Sequence, residues 1–269
     1  MNKQEVLEKY NKEEERLLVA KILDKVNFSN TRNSIENTDF LDMYQKKICE
    51  KVIQEIKVNN YTFFGGFEGA DKNMLIFYPE KLENLFKNNK FNYNTLIRAI
   101  NIILPSELYD KYHHKDYLSG LMKLGIKREK CGDILTRRDG AYIIVTAEMA
   151  KYIKEGLAQL TRFSKSNIEI INIEDIKIPQ IEKDNTVIIV PAMRLDSVVS
   201  ELIHTSRNKA NEIIDEQRVF VNYENETRKS KEIKEEDIIV IRGKGKFKIL
   251  SKQGTTKTGK ILLKIEKYK

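Results

Sequence analysis

The sequence predicts an α+β protein built in three parts, and three patterns carry that prediction. Apolar residues recur at helical spacing through the first sixty positions. Short β-rich runs alternate with amphipathic stretches in the middle. Near the end, two short helical segments give way to β-rich runs loaded with lysine. A chain of 269 residues has room for two or three small domains, each with its own core.

The first part, 1–72, reads as mainly helical. Val6, Tyr10, Leu17, Leu18 and Ile22 share a helical stripe in a Glu/Lys-rich stretch. Thr38-Asp39 offers an N-cap for a second helix carrying Leu41, Tyr44, Ile48, Val52 and Ile56. Tyr61-Thr62-Phe63-Phe64 reads as a strand ending at Gly65-Gly66. The second part, 73–180, opens with a strand at Met74–Tyr78. Ala99–Leu104 forms another, stopped by Pro105; residues 114–124 suit a helix; 133–135 and 141–146 suit strands joined by a hairpin turn at Arg137-Arg138-Asp139-Gly140. A helix over Ala147–Leu160 and a strand over Ile168–Ile173 complete it. This alternation predicts a ferredoxin-like, RRM-like sandwich. A linker is expected over 178–185, and the third part spans 186–269.

Composition narrows the class. With 41% hydrophobic and 33% charged residues the chain is globular rather than disordered. No run approaches eighteen apolar residues, and the opening Met1–Val6 lacks a signal peptide's apolar core, so the expectation is a cytoplasmic protein that does not engage a membrane. Cys49 and Cys131 stand without CxxC partners, and His113, His114 and His204 cannot assemble a zinc site; the cysteines read as reduced thiols. Charge is the more telling feature. Of the formal net +8, the segment 241–269 alone carries +9, ten Lys/Arg against the single acid Glu266, and the rest of the chain carries −1. Such concentration is the footprint expected for a polyanion. Because Ile238–Ile241, Phe247–Leu250 and Ile261–Ile265 are β-rich runs, the charge belongs to folded strands rather than to a loose tail.

In the third part, Leu195, Val198, Val199, Leu202 and Ile203 form one apolar helix face. Thr205-Ser206 then starts a second helix, Arg207–Glu216, with Ala210, Ile213 and Ile214 inward. Arg207 and Lys209 fall in its first turn, where exposed N–H groups and the helix dipole favour phosphate, and Asn208 between them suits a sugar or base edge. Strands follow at Arg218–Val221 and after Glu236-Asp237.

The pieces Met193-Arg194-Leu195-Asp196, Ser206-Arg207-Asn208-Lys209-Ala210, Val219-Phe220-Val221-Asn222 and Asp237-Ile238-Ile239-Val240-Ile241-Arg242 resemble the S4 RNA-binding domain. The resemblance implies an RNA-binding face built from Arg194, Arg207 and Lys209. Gln217, Tyr223 and Glu236 stand where S4 domains carry turn glycines, and non-glycine residues resist positive φ. A second stretch, His114-Lys115-Asp116-Tyr117-Leu118-Ser119-Gly120-Leu121-Met122-Lys123-Leu124-Gly125-Ile126-Lys127-Arg128-Glu129-Lys130-Cys131-Gly132-Asp133-Ile134-Leu135, resembles the signature of the bacterial YlmH family, as does the ending Arg242-Gly243-Lys244-Gly245-Lys246-Phe247. That likeness covers about residues 60–260 and departs at Lys115, where the family carries Arg. It implies a helical N-terminal part, an RRM-like middle domain and a C-terminal S4 domain. It further implies a place in cell-division gene clusters, and a likeness to factors that bind stalled large ribosomal subunits carrying peptidyl-tRNA in ribosome-associated quality control.

Catalytic readings are weaker. Gly254–Ile261 is one residue short of a P-loop, and a strand pattern follows where a helix is required. His114-Lys115-Asp116 reads as a helix start rather than an acid–base group. The best enzymatic alternative is an RNA-modifying enzyme of pseudouridine synthase type, since Arg194-Leu195-Asp196 spells the Arg-Leu-Asp motif of such enzymes; here it lies inside the S4 stretch. The expectation is therefore a monomeric, non-enzymatic protein without cofactor or metal. Its partners would be rRNA and tRNA on the large ribosomal subunit. Arg194, Arg207, Asn208 and Lys209 would make the contact, Arg242, Lys244 and Lys246 would extend it, and Arg128, Arg137 and Arg138 would add a second contact from the middle domain.

Overall fold

A computed structural model describes residues 3–178 and 183–268; half of the expected linker, 179–182, lies outside the described residues. The chain forms two compact units, Met1–Pro179 and Gln180–Lys269.

The first unit begins with helices α1 (Lys3–Leu7) and α2 (Glu13–Arg32), strand β1 (Glu36–Asn37), helix α3 (Met43–Ile56) and strands β2 (Tyr61–Phe64) and β3 (Met74–Phe77). Helix α3 is capped not by Thr38-Asp39, as the sequence predicts, but by Asp42. Its side chain accepts from the N–H of Gln45 at 2.8 Å, while Gln45 Oε1 accepts from Asp42 N at 3.0 Å. This reciprocal box satisfies two helix-end donors with one pair of side chains. Thr38 and Asp39 are used elsewhere: Thr38 Oγ1 accepts from Leu75 N, and Asp39 pairs with Lys130. The strands form an antiparallel sheet in the order β1-β3-β2. A boundary after residue 72 would therefore cut this sheet, because β3 is its central strand.

Beyond helix α4 (Glu83–Lys87) come β4 (Ile97–Ile103), α5 (His114–Lys123), β5 (Cys131–Arg137), β6 (Gly140–Thr146), α6 (Ala147–Gln159) and β7 (Asn167–Ile171). Their antiparallel order, β5-β6-β4-β7, is the ferredoxin-like arrangement the alternation predicts. Gly140 closes the β5–β6 hairpin at φ +155°, and a Cβ there would lie 1.8 Å from the Ile102 carbonyl oxygen, so no side chain fits. Ile100, Ile102, Ile143 and Val145 pack on Tyr117, Leu121, Ile153 and Leu157 of the two helices. The opposite side of the sheet is also covered at one end, where Ile97, Ala99 and Ile144 pack against Phe40, Met74, Ile76 and Phe86. Burial on both sides explains why 141–145 is a continuous apolar run rather than an alternating one. Polar bonds fasten the same contact. Asp133 accepts from the backbone N–H groups of Asp71 (2.7 Å) and Lys72 (3.3 Å), and Lys72 Nζ donates to the Cys131 carbonyl at 2.9 Å.

The second unit comprises β8 (Lys183–Val190), α7 (Leu195–Leu202), α8 (Arg207–Asp215), β9 (Val219–Val221), β10 (Glu224–Asn225), β11 (Ile238–Ile241), β12 (Gly245–Thr255) and β13 (Ile261–Tyr268). Six strands form one antiparallel sheet, β10-β9-β11-β12-β13-β8. One side of it meets both helices in a core of Leu195, Val198, Val199, Leu202, Ile213, Ile214, Val219, Val221, Ile239, Ile241, Phe247, Ile249, Leu263 and Ile265. The three positions lacking the S4 glycine keep the glycine conformation: Gln217, Tyr223 and Glu236 adopt φ of 56°, 68° and 68°. Tertiary packing thus holds the turns, at a local cost on the order of 1 kcal/mol each.

Candidate nucleic-acid interface

The site is built around one buried carboxylate. Arg194 is the N-cap residue of α7 and Asp196 lies in the first turn of that helix, while Arg207 opens α8. The start of α7 is pinned by the loop before β11, through Leu195 N donating to Lys231 O (2.9 Å) and Asp196 N to Lys229 O (3.1 Å). The start of α8 is fixed by Ser206, whose hydroxyl accepts from Lys209 N at 3.2 Å, as a Ser N-cap should. Arg194 donates to Asp196 through Nε at 3.2 Å and Nη2 at 3.0 Å. Arg207 donates through Nε at 3.1 Å and Nη2 at 2.6 Å, and Ser197 N at 2.8 Å. The Asp196 side chain is 3% exposed, whereas those of Arg194 and Arg207 are 44% and 53% exposed.

Burial alone would raise the Asp196 carboxyl, but hydrogen bonds from Arg194, Arg207 and Ser197 and the charge of Arg207 outweigh it and hold the group at about 2. The result is a rigid pair of guanidinium groups with a residual positive charge. Fixed in orientation by the anion beneath them, both keep open edges toward solvent. Forked, planar donors of this kind suit phosphate oxygens, and fixing them beforehand lowers the entropy lost on binding.

The remaining candidate residues fall into separate sets. Asn208 and Lys209 continue the exposed first turn of α8, where Lys209 pairs with Glu212 at 2.6 Å. Arg242, Lys244 and Lys246 do not extend this track along one face. Arg242 lies over the ring of Phe220, Lys244 occupies the β11–β12 turn, and Lys246 alternates with buried Phe247, so that Arg242 and Lys246 project from the side of the sheet opposite the helices. In the middle domain Arg128 is exposed. Arg137 is engaged within the fold: it pairs with Asp139 at 3.0 Å, bonds Asn101 at 2.9 Å and stacks 3.9 Å from the Tyr142 ring centre, with 16% of its side chain exposed. Arg138 is exposed and pairs with Asp110 at 3.1 Å.

Two features escape the sequence reading. One is Asp196 as the group that positions both arginines; the spacing of Arg194 and Asp196, two residues apart, was its only local sign. The other is the loop Arg228-Lys229-Ser230-Lys231, whose carbonyls hold the start of α7 and which sets cations beside it; Lys229 pairs with Asp215 of α8 at 2.8 Å. Four cations between 228 and 234 were the available signal.

Groups suited to covalent chemistry are muted. Burial pushes the Cys49 thiol up to about 12 and that of Cys131 to about 11. Asp116 is used at the start of α5, accepting from His113 N at 2.9 Å and pairing with Arg162 at 3.2 Å. Among the described residues no group of three or more His, Cys, Asp or Glu could hold a metal ion, and no helix is long and apolar enough to cross a membrane.

Residues 193–239 match the S4 domain family, and residues 90–176 match the family described as a putative RNA-binding domain in YlmH. The chain is thus an S4-domain RNA-binding protein. Its middle part carries the domain that the YlmH family model describes. The chain is 27% identical over 266 residues, covering 96% of this chain and 97% of the relative, to the ribosome-associated protein quality control protein P2 of Bacillus subtilis (strain 168). A solved structure, the cell division protein ylmH from Streptococcus pneumoniae, is 20% identical and aligns with a TM-score of 0.47 over 62% of this chain and 98% of that one.

Proposed function

We propose that this protein binds structured RNA without modifying it, through the face formed by Arg194, Arg207, Asn208 and Lys209. Its target in this reading is rRNA of the large ribosomal subunit together with bound tRNA, in ribosome-associated quality control. The observation that carries the reading is the buried Asp196 carboxylate holding two half-exposed guanidinium groups side by side. Structured RNA has a deep, narrow major groove that side chains cannot read, so a fixed pair of phosphate-directed forks suits recognition by backbone shape. The ribosomal target is supported by the name of the Bacillus subtilis relative, a ribosome-associated protein quality control protein that aligns over nearly its whole length.

The pseudouridine synthase alternative rested on Arg194-Leu195-Asp196. In the fold that aspartate is 3% exposed and engaged by two arginines, so it cannot reach a base as a nucleophile must. The protein acts in the cytoplasm as a monomer in this account. Crosslinking in cells followed by sequencing of the attached RNA tests it. Enrichment of large-subunit rRNA and tRNA is expected; enrichment of messenger RNA alone, or loss of one modified uridine in a deletion strain, would contradict it.

A further inference from the structure

We propose that the side of the C-terminal sheet facing away from α7 and α8 is a second RNA-contacting surface, a platform on which unpaired bases stack. This rests on the RNA-binding nature of the chain but not on the helix-face site described above. The strand register sets a straight row across four strands. Phe220 of β9 lies opposite Val240 of β11, Val240 opposite Lys246 of β12, and Lys246 opposite Tyr268 of β13. Their sequence neighbours Val219, Val221, Ile239, Ile241 and Phe247 all point into the core, so strand alternation turns the whole row outward. Three inter-strand steps separate the two rings, about 14 Å.

Each ring of the row already carries a cation. Arg242 lies 4.7 Å from the centre of Phe220, and Lys246 lies 4.7 Å from that of Tyr268 and 5.4 Å from that of Tyr223. Burial and a hydrogen bond involving Glu266 push the Tyr268 hydroxyl up to about 12, so the ring is neutral at physiological pH. A single cation held over a half-buried ring contributes little. A base stacked on it contributes more, and the displaced cation can turn to the adjoining phosphate. The exchange favours the nucleotide.

Charge identifies the occupant as RNA rather than an apolar protein segment. The turn and strands from Arg242 to Lys248 supply four cations in seven residues with no acid among them. Duplex RNA presents no base faces to stack, so the ligand is single-stranded or looped.

The test uses the full-length chain and fluorescence anisotropy with two labelled RNAs, a single-stranded oligouridine and a blunt duplex. Tyr268→Leu and Phe220→Leu should each weaken oligouridine binding about five- to a hundredfold and leave duplex binding within about twofold. Tyr268→Phe, which keeps the ring, should bind oligouridine like the wild type. Arg207→Ala should weaken duplex binding and spare the oligouridine. Wild-type oligouridine binding by both leucine variants, or a loss in Tyr268→Phe as large as in Tyr268→Leu, would overturn the platform. Loss of both RNAs in Arg207→Ala alone would show one site instead of two. Unchanged duplex binding by Arg207→Ala, with ring-dependent oligouridine binding intact, would count against the helix-face reading alone.

Discussion

Replacing Asp196 with asparagine separates a positioned site from a merely basic one. The substitution keeps shape, removes one negative charge and leaves Arg194 and Arg207 sharing a neutral amide. A site that worked by charge alone would bind RNA more tightly, because the local charge rises by one. A site that works by fixed geometry should bind less tightly, by about five- to a hundredfold, as both guanidinium groups regain their rotamer freedom at about 0.5–1.5 kcal/mol per side chain. The stability effect follows from the carboxyl group. Its displacement from the ordinary 3.8 to about 2 corresponds to about 2 kcal/mol favouring the folded state at neutral pH. The sign is that of a depressed acid. Between about pH 4 and 2 the unfolded chain takes up a proton that the folded chain refuses, so the stabilisation is complete above about pH 4 and vanishes as pH falls through 2. Urea unfolding followed by circular dichroism from pH 7 to pH 2 reads this directly. The wild type should exceed Asp196→Asn by about 2 kcal/mol at pH 7, and the gap should close under acid. Equal stability at pH 7, a gap that persists at pH 2, or tighter RNA binding by the variant would each refute the reasoning.

Other expectations are simpler to check. Affinity for structured RNA should fall steeply, as a power of salt concentration, because phosphate contacts release counterions; a nearly flat response between 50 and about 200 mM salt would remove the electrostatic account. Gln217→Gly should raise the stability of the C-terminal unit by up to about 1 kcal/mol, since it relieves a φ of 56° at a smaller entropic cost in the unfolded chain. A drop in the urea midpoint would show that the Gln217 side chain contributes more than its strain costs.

The order of elements and the sheet-forming runs were legible because each obeys a local period: the i, i+3, i+4 stripe of Leu195–Ile203, the alternation around Phe247 and Ile249, the Arg-Arg-Asp-Gly turn. What depends on distant residues was not. Asp42 competes with Thr38 and Asp39 as a cap for α3, and only the pairing of Thr38 with Leu75 and of Asp39 with Lys130 decides it. The fully buried β6 reads locally as a strand, but nothing in its own residues says that Phe40 and Met74 cover its second side. Likewise Arg194 and Arg207 are separately recognisable as exposed cations at helix starts, while their joint hold on Asp196 appears only once α7 and α8 are folded together. Arg137 is the converse case: a surface arginine by sequence, it is drawn onto Tyr142 and Asn101 by the hairpin.

The central claim is that one fixed pair of arginines, rather than the total basic charge, makes the contact with structured RNA. Co-sedimentation with large ribosomal subunits, comparing wild type, Arg207→Ala and Lys257→Ala, tests it most directly. Both variants lose one positive charge, one from the Asp196-anchored pair and the other from the exposed β12–β13 hairpin tip. A charge-assisted contact contributes about 1.5–3 kcal/mol, so Arg207→Ala should bind about ten- to a hundredfold more weakly. Lys257→Ala should remain within about twofold of wild type, since a single exposed, unfixed charge contributes little. Equal weakening in the two variants, or wild-type binding by Arg207→Ala, would contradict the account.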